Sequence, residues 1–525
     1  AGSGRQHSFS IGFRSDPSQA RTVVSRIMRP MVETANALGI TDQRMLRDRF
    51  DCLTRACVDE TVYLVVRTHA GDLTAHERKL QNDTKRRVGI DLREKKDGGM
   101  QFPPGVSQGV AMPLGALVPR HMAAVKALVD DLRRDIGAGG AQLLANVLSA
   151  HDAVAAMRRH TDASALPAGW RPRFFGDAGA KAGGIAYPLK DDAHVTPPRL
   201  SRQVINGPID DEFGIRELCR YGDLWYASTV LELCPDSGSE PFGELATRLG
   251  RQIPWRASFE LNPDGMRVRQ LERVLSAFLG AIGDYNKAIR RGFDNLRQLE
   301  QDSAYICSLR MVFTTWASTR EQALSNLSNL SSAVESWGAA GCTNETGEPG
   351  RAMLASAAGF SSVSPAPFIP APLSEAVRML PFARPASIWE RGQVIFATTE
   401  GRPYPVEFGS SLQNYWATIG FAPTGSGKSF TLNVLNSGLL LAPGANEVPP
   451  ITLVDVGHSG ALVMQWYRSI LPERLRSQVL AVTMRNTDEF IVNPFDTQHG
   501  FDEPLMTDID FLVAVLSTIS PGCGE

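Results

Sequence analysis

The passage from residue 415 to residue 441 limits what this chain can fold into more than any other. Residues 415–421 (YWATIGF) form a short apolar run. Ala422-Pro423-Thr424-Gly425-Ser426-Gly427-Lys428-Ser429 follows directly, and 430–441 places Leu432, Val434, Leu435 and Leu439 at helical spacing. Strand, glycine-rich loop and helix in that order is the frame of a phosphate-binding loop, here a Walker A motif with Ala422 at the usual first glycine. Each residue type has a chemical reason. Gly425 and Gly427 let the backbone curl so that successive N–H groups point at one phosphate. The helix N-terminus adds partial positive charge. Lys428 reaches the β- and γ-phosphates as a point charge, and the Ser429 hydroxyl is the expected Mg²⁺ ligand. Residues Ala422 to Ser429 are therefore the candidate nucleotide-binding site, Lys428 its catalytic cation, and ATP with Mg²⁺ the expected ligand. A bare pattern of this kind also arises by chance; its place between an apolar run and a helix separates it from coincidence.

Downstream, 451–455 (ITLVD) reads as a buried strand ending in a carboxylate. Asp455 lies 27 residues after Lys428 (455 − 428), one helix and one loop later, so it ends the next strand in sequence. Two readings stay open: Asp455 touches Mg²⁺ or the attacking water, or it is a strand-end residue on the rim of the site. His458, in VGHSG, either senses phosphate or is a loop or helix-cap neighbour. Residues 479–484 (VLAVTM) read as a third strand, Asn493-Pro494 is a turn signal, and 508–517 starts another helix.

The rest of the chain is read from composition and periodicity. Its 525 residues make roughly three domains at about 100–200 residues each. With 43% hydrophobic and 21% charged residues it is neither disordered nor collagen-like. A net charge of -2 gives no global field that would draw it to nucleic acid. Seven cysteines without a CxxC pair exclude a disulfide scaffold and a zinc ribbon. No apolar run approaches the roughly 18 residues of a membrane span. The start lacks a Met, so the chain reads as a piece of a longer protein. Helices are expected over 22–38, 121–160, 265–301 and 319–337, and strands over 62–66, 224–233 and 305–314. Cys307 sits inside that last alternation and reads as core. The basic stretch 76–96 is interleaved with acids and reads as a solvated face. The division that follows is an N-terminal α+β region (1–205), an α+β module with a long helix that docks partners (206–364), a Pro-rich connector (365–385), and a P-loop domain (386–525). The fold class is α/β.

The Walker A segment, the Leu-Val-Asp-Val-Gly strand end and Asn493-Pro494-Phe495-Asp496 together resemble the VirB-type ATPases of type IV secretion and conjugation systems, closest to the IcmB/DotO and TraU branch of type IVB systems. The likeness covers about residues 300–525, including the strand and helix at 304–337 and the small β segment 392–408. It implies a RecA-like C-terminal domain, incomplete in this chain, similar to that of FtsK/HerA translocases. It implies a cytoplasmic ATPase, peripheral to a bacterial inner membrane, that energises assembly or transfer of protein or DNA. It also implies a homo-oligomer, hexameric in that family, working with other ATPases and inner-membrane components. A Walker B acid, a catalytic Glu and an arginine finger belong to the family and are not placed on residues here. Other readings of the same motif are a DNA translocase or coupling protein, a metabolic P-loop kinase, and a non-enzymatic scaffold gated by nucleotide.

Overall fold

A computed structural model of the chain describes residues 7–68, 73–80, 82–83, 117–133, 145–164, 166, 170–174, 198–211, 216–235, 241–263, 265, 294–302, 304–382, 384–413, 417–423, 425–455, 459–482, 497 and 501–519. They divide into two compact units, one of 1–33 with 44–418, the other of 34–43 with 419–525. One boundary falls inside α1 (Ala20–Leu38), so a continuous helix contributes residues to both units.

The first unit is a mixed α/β structure on one large antiparallel sheet. Its strands are β1 (Ser8–Asp16), β2 (Asp59–Arg67), β3 (Ile209–Asp211), β4 (Leu218–Tyr221), β5 (Leu224–Leu233), β6 (Trp255–Asn262), β7 (Ile306–Ala317), β8 (Gly341–Thr343) and β9 (Ile369–Pro372). The order across the sheet is β2-β1-β6-β7-β5-β4-β3, with β8 on β5 and β9 on β7. Period-two alternation explains the core. Ile11 and Phe13 of β1, Trp255, Ala257, Phe259 and Leu261 of β6, and Leu309, Met311 and Phe313 of β7 all project into one apolar cluster. The helices α2 (Arg44–Ala56), α3 (Leu117–Arg133), α4 (Ala150–Thr161), α5 (Leu200–Val204), α6 (Phe242–Leu249) and α7 (Arg320–Ser336) come next in chain order. From α6, Phe242, Leu245, Ala246 and Leu249 enter the same cluster at steps of three and four. Leu330 and Val334 of α7, with Trp337 just beyond it, close the layer.

The opposite face of the same strands is polar yet buried. Arg14, Arg256, Ser258, Glu260, Ser228 and Thr314 all lie there. Glu260 accepts from Arg310 at 2.6 and 2.9 Å and sits 3.8 Å from Arg67. Ser228 and Thr314 hydroxyls bond each other at 2.8 Å. Against this face lie α4, α8 (Pro349–Ala355) and the segment 356–364. Gly12 marks their closest approach: a Cβ there would lie 2.8 Å from Cβ of Ala358. Gly12→Ala is therefore expected to cost about 1–3 kcal/mol by overpacking. Urea unfolding should show it, with part of the loss recovered when Ala358→Gly is added, since the Ala358 Cα would still lie 3.0 Å away.

The strand read over 224–233 is β5, and those over 62–66 and 305–314 extend to β2 and β7. The helix read over 319–337 is α7, capped by Thr319, whose hydroxyl accepts from the Gln322 N–H. The stretch 121–160 holds two helices, α3 and α4, and 134–144 lies outside the described residues. Of the long helix expected over 265–301, 266–293 lie outside the described residues and 294–301 are helical. The Pro-rich stretch 365–385 belongs to the first unit: Ile369–Pro372 pairs with β7, and α9 (Leu373–Arg378) follows it. Proline is tolerated there because, among the described strands, β9 pairs with β7 alone. Residues 392–408 hold a two-stranded sheet, β10 (Val394–Ala397) with β11 (Pro403–Val406).

The second unit carries α10 (Lys428–Leu440), α11 (Ser459–Ile470), α12 (Glu473–Arg476) and α13 (Met506–Ile519). The Thr34 hydroxyl donates to the Ala442 carbonyl at 3.0 Å. Among the described residues, 417–421, 451–455 and 479–482 enter no β ladder, although the sequence reads strands over 415–421, 451–455 and 479–484. Several of their apolar side chains are exposed, Phe421 at 91% and Val454 at 88%, whereas Val479 is buried. No helix among the described residues is long and apolar enough to cross a membrane.

Candidate functional site: the glycine loop at the start of α10

Chain direction at the loop is set by two glycines. Gly425 (φ 82°) and Gly427 (φ 90°) both adopt the left-handed region, where a Cβ is strained. A Cβ at either position would meet nothing within 4 Å, so backbone conformation and not space demands glycine. Between them, Ser426 turns back on the loop: its N–H and its hydroxyl both donate to the Pro423 carbonyl, at 3.3 and 2.7 Å. Helix α10 begins at Lys428, and Thr431 N–H donates to Gly427 O at 2.9 Å.

The helix presents its N-terminus to solvent and is anchored at the other end. Gly427 occupies the N-cap and supplies no side-chain acceptor. Gly425 to Leu432 are exposed, whereas Asn436, Ser437, Gly438 and Leu440 are buried. Ser437 ties this end down, donating to Asn433 O at 2.7 Å and meeting the Tyr467 hydroxyl of α11 at 3.1 Å. The first-turn N–H groups of a helix have no intrahelical acceptor. With no side-chain cap, they and the helix dipole make a site that favours an anion. Lys428 and Ser429, the first two residues of α10, stand at that end, exposed, where a phosphate and its metal would lie. Ser429 fits as a metal ligand there, with phosphate oxygens and water completing the shell of an ion such as Mg²⁺.

Asp455 has a different occupation. Its Oδ2 accepts from the Ser459 hydroxyl and from the Gly460 N–H, both at 2.8 Å. It thereby caps the start of α11. The structure thus groups Ala422, Pro423 and Gly425 to Ser429 in one exposed turn and uses Asp455 as a helix cap. Thr424, His458 and 493–496 lie outside the described residues.

The first unit holds the other concentration of titratable groups, and its chemistry is structural. His160, at the end of α4, is buried. Ala358 N–H donates to its Nδ1 at 3.4 Å, so Nε2 carries the proton and faces the Thr61 hydroxyl at 3.2 Å. Burial, and then Arg14, Arg256 and Arg159 around it, hold its pKa well below the usual value. The folded state therefore refuses a proton that the unfolded chain takes up below about pH 6.5. Stability from this group is complete above that pH and falls as pH drops below it, by up to about 1.4 kcal/mol per unit. Urea midpoints from pH 8 to 5 should show this loss, and His160→Gln should flatten it. Cys307 is core: its Sγ lies 3.4 Å from Ala371 O, and burial pushes the thiol to about 11. In the basic stretch, Glu77 pairs with Arg120 at 3.1 Å, and 84–96 lie outside the described residues.

No protein-family model matches the chain, and no curated protein sequence matches it significantly.

Proposed function

We propose that the chain is a P-loop ATPase that binds Mg-ATP at Ala422 to Ser429 and uses its hydrolysis to energise a type IVB-like secretion or conjugation system. The observation that carries the nucleotide reading is the pair of left-handed glycines leading into the exposed, uncapped N-terminus of α10, with Lys428 and Ser429 as its first residues. Backbone N–H groups of the loop and first turn orient the β- and γ-phosphates. Lys428 balances their charge, and Ser429 places one oxygen on the metal. A RecA-like sheet is part of this reading. Ile419, Phe421, Val454, Leu480 and Val482 are exposed apolar residues on three segments that read as near-continuous hydrophobic runs. Such runs suit the strands of a parallel sheet covered on both faces.

The secretion role, the cytoplasmic position at an inner membrane, and oligomeric partnership with other ATPases rest on the resemblance of 300–525 to VirB-type ATPases. A second reading, a nucleotide-gated scaffold without turnover, draws on Asp455 being engaged as a helix cap. ATP binding and turnover, measured with and without DNA, separate these. DNA-independent turnover supports the secretion ATPase, and strong DNA stimulation favours a DNA translocase. Binding without turnover supports the scaffold, and no binding removes the reading altogether.

A further inference from the structure

We propose that β2 is a self-pairing edge, so that two copies of this chain join their sheets through antiparallel β2–β2 pairing about a two-fold axis at Tyr63. This goes beyond the nucleotide reading and does not depend on it.

The two edges of the sheet differ. At one end β3 is three residues long and carries Asp210 and Asp211, a short charged edge of the kind that resists pairing. At the other end β2 runs nine residues (DETVYLVVR) without Pro, Gly or Lys. It pairs with β1 in unbroken register from Ser8↔Arg67 to Asp16↔Asp59, so no bulge twists it away. No described strand pairs with its other side. Just before the strand, Val58 N–H donates to Gly401 O at 2.8 Å, and just after it the Thr68 hydroxyl meets His121 Nδ1 at 3.0 Å. A long, flat, apolar edge presents alternate N–H and C=O groups that another strand completes.

The residues of β2 point to a second copy as the occupant. An antiparallel pairing centred on Tyr63 sets Asp59 opposite Arg67, Thr61 opposite Val65, and Val62 opposite Leu64. Residues of opposite charge therefore stand opposite each other at both ends, with Arg67 also donating to Ser361 Oγ at 2.7 Å and Gly359 O at 3.0 Å within its own copy. The pairing also keeps the two faces of the sheet in phase. Val62 and Leu64 pack on the apolar core, whereas Thr61 and Tyr63 face His160 on the polar side. A shift of one residue would put apolar side chains on the polar face. β-branched and aromatic residues meet across the axis, which favours cross-strand contact.

Sedimentation of the full 525-residue chain without nucleotide tests this. The expected result is self-association at micromolar concentration that Val65→Lys weakens at least tenfold while the urea midpoint of folding stays unchanged. Independently of that variant's folding, Tyr63→Cys in a Cys52→Ser background should give a reducible cross-linked dimer on mild oxidation. The Cys52→Ser chain alone, and Val65→Cys in the same background, should not, because Val65 faces Thr61 of the other copy. A chain that stays monomeric to tens of micromolar overturns the proposal and leaves the edge to a strand of another protein. So does an oligomer that Val65→Lys leaves intact and Tyr63→Cys fails to cross-link.

Discussion

Lys428→Ala is expected to lower ATP turnover by about 10²–10³-fold, the cost typical of removing one preorganised group from developing transition-state charge. It should weaken Mg-ATP binding as well, because in the proposed site the lysine would meet the ground-state phosphates. The fold should survive, since Lys428 is exposed in the first turn of α10 and the anchoring contacts lie at Asn436 to Leu440. Lys428→Arg keeps the charge but not its compact shape, and should recover only part of the loss. Steady-state turnover and equilibrium binding, each beside a circular dichroism spectrum, check the three statements.

The largest effect on stability is expected at Arg256. This residue of β6 is fully buried, and its guanidinium faces the C-terminal ends of two helices. It donates to Thr161 O at 3.1 Å and to His160 O at the end of α4, to Met353 O at 2.7 Å in α8, and to the Ser356 hydroxyl at 2.7 Å. Helix C-termini carry partial negative charge, so the cation is placed where two dipoles favour it. The rings of Tyr226 and Trp316 lie 5.5 and 5.9 Å from it. Burial lowers its pKa to about 10, which still leaves it charged at neutral pH. Arg256→Ala would leave these acceptors buried without a donor, each costing about 1–3 kcal/mol and not additively. A total loss of about 3–5 kcal/mol is expected. Arg256→Lys should retain part of it through charge and one or two bonds. Urea unfolding followed by tryptophan fluorescence measures both; a loss under about 1 kcal/mol for the alanine variant would contradict this role.

The buried polar face that holds Arg256 also explains why β1 and β6 were illegible in the sequence. In β6 the apolar residues Trp255, Ala257, Phe259 and Leu261 alternate with Arg256, Ser258 and Glu260, and in β1 Ile11 and Phe13 alternate with Ser10, Gly12 and Arg14. Charged residues on alternate positions normally signal a solvated face, whereas here they are buried, Arg14 and Arg256 bonded to helix-end carbonyls and Glu260 to Arg310 of β7. β7 was legible because Cys307, Leu309, Met311 and Phe313 alternate with Ser308, Arg310 and Thr314, and β5 because it reads as a plain apolar run. The start of α10 was legible because glycine conformation, helix onset and the Lys-Ser pair are all local. The capping contact of Asp455 was not, because a strand-end acid and a helix-capping acid look alike until the next turn of chain is seen.

The central claim is that the loop before α10 cradles a triphosphate, and amide hydrogen exchange over 417–432 tests it most directly. Mg-ATP should protect the peptide amides of Gly425 to Ser429 in the wild type, and protection should disappear in Lys428→Ala. ATP bound at stoichiometric levels without protection of that loop, or equal protection in the variant, would contradict it.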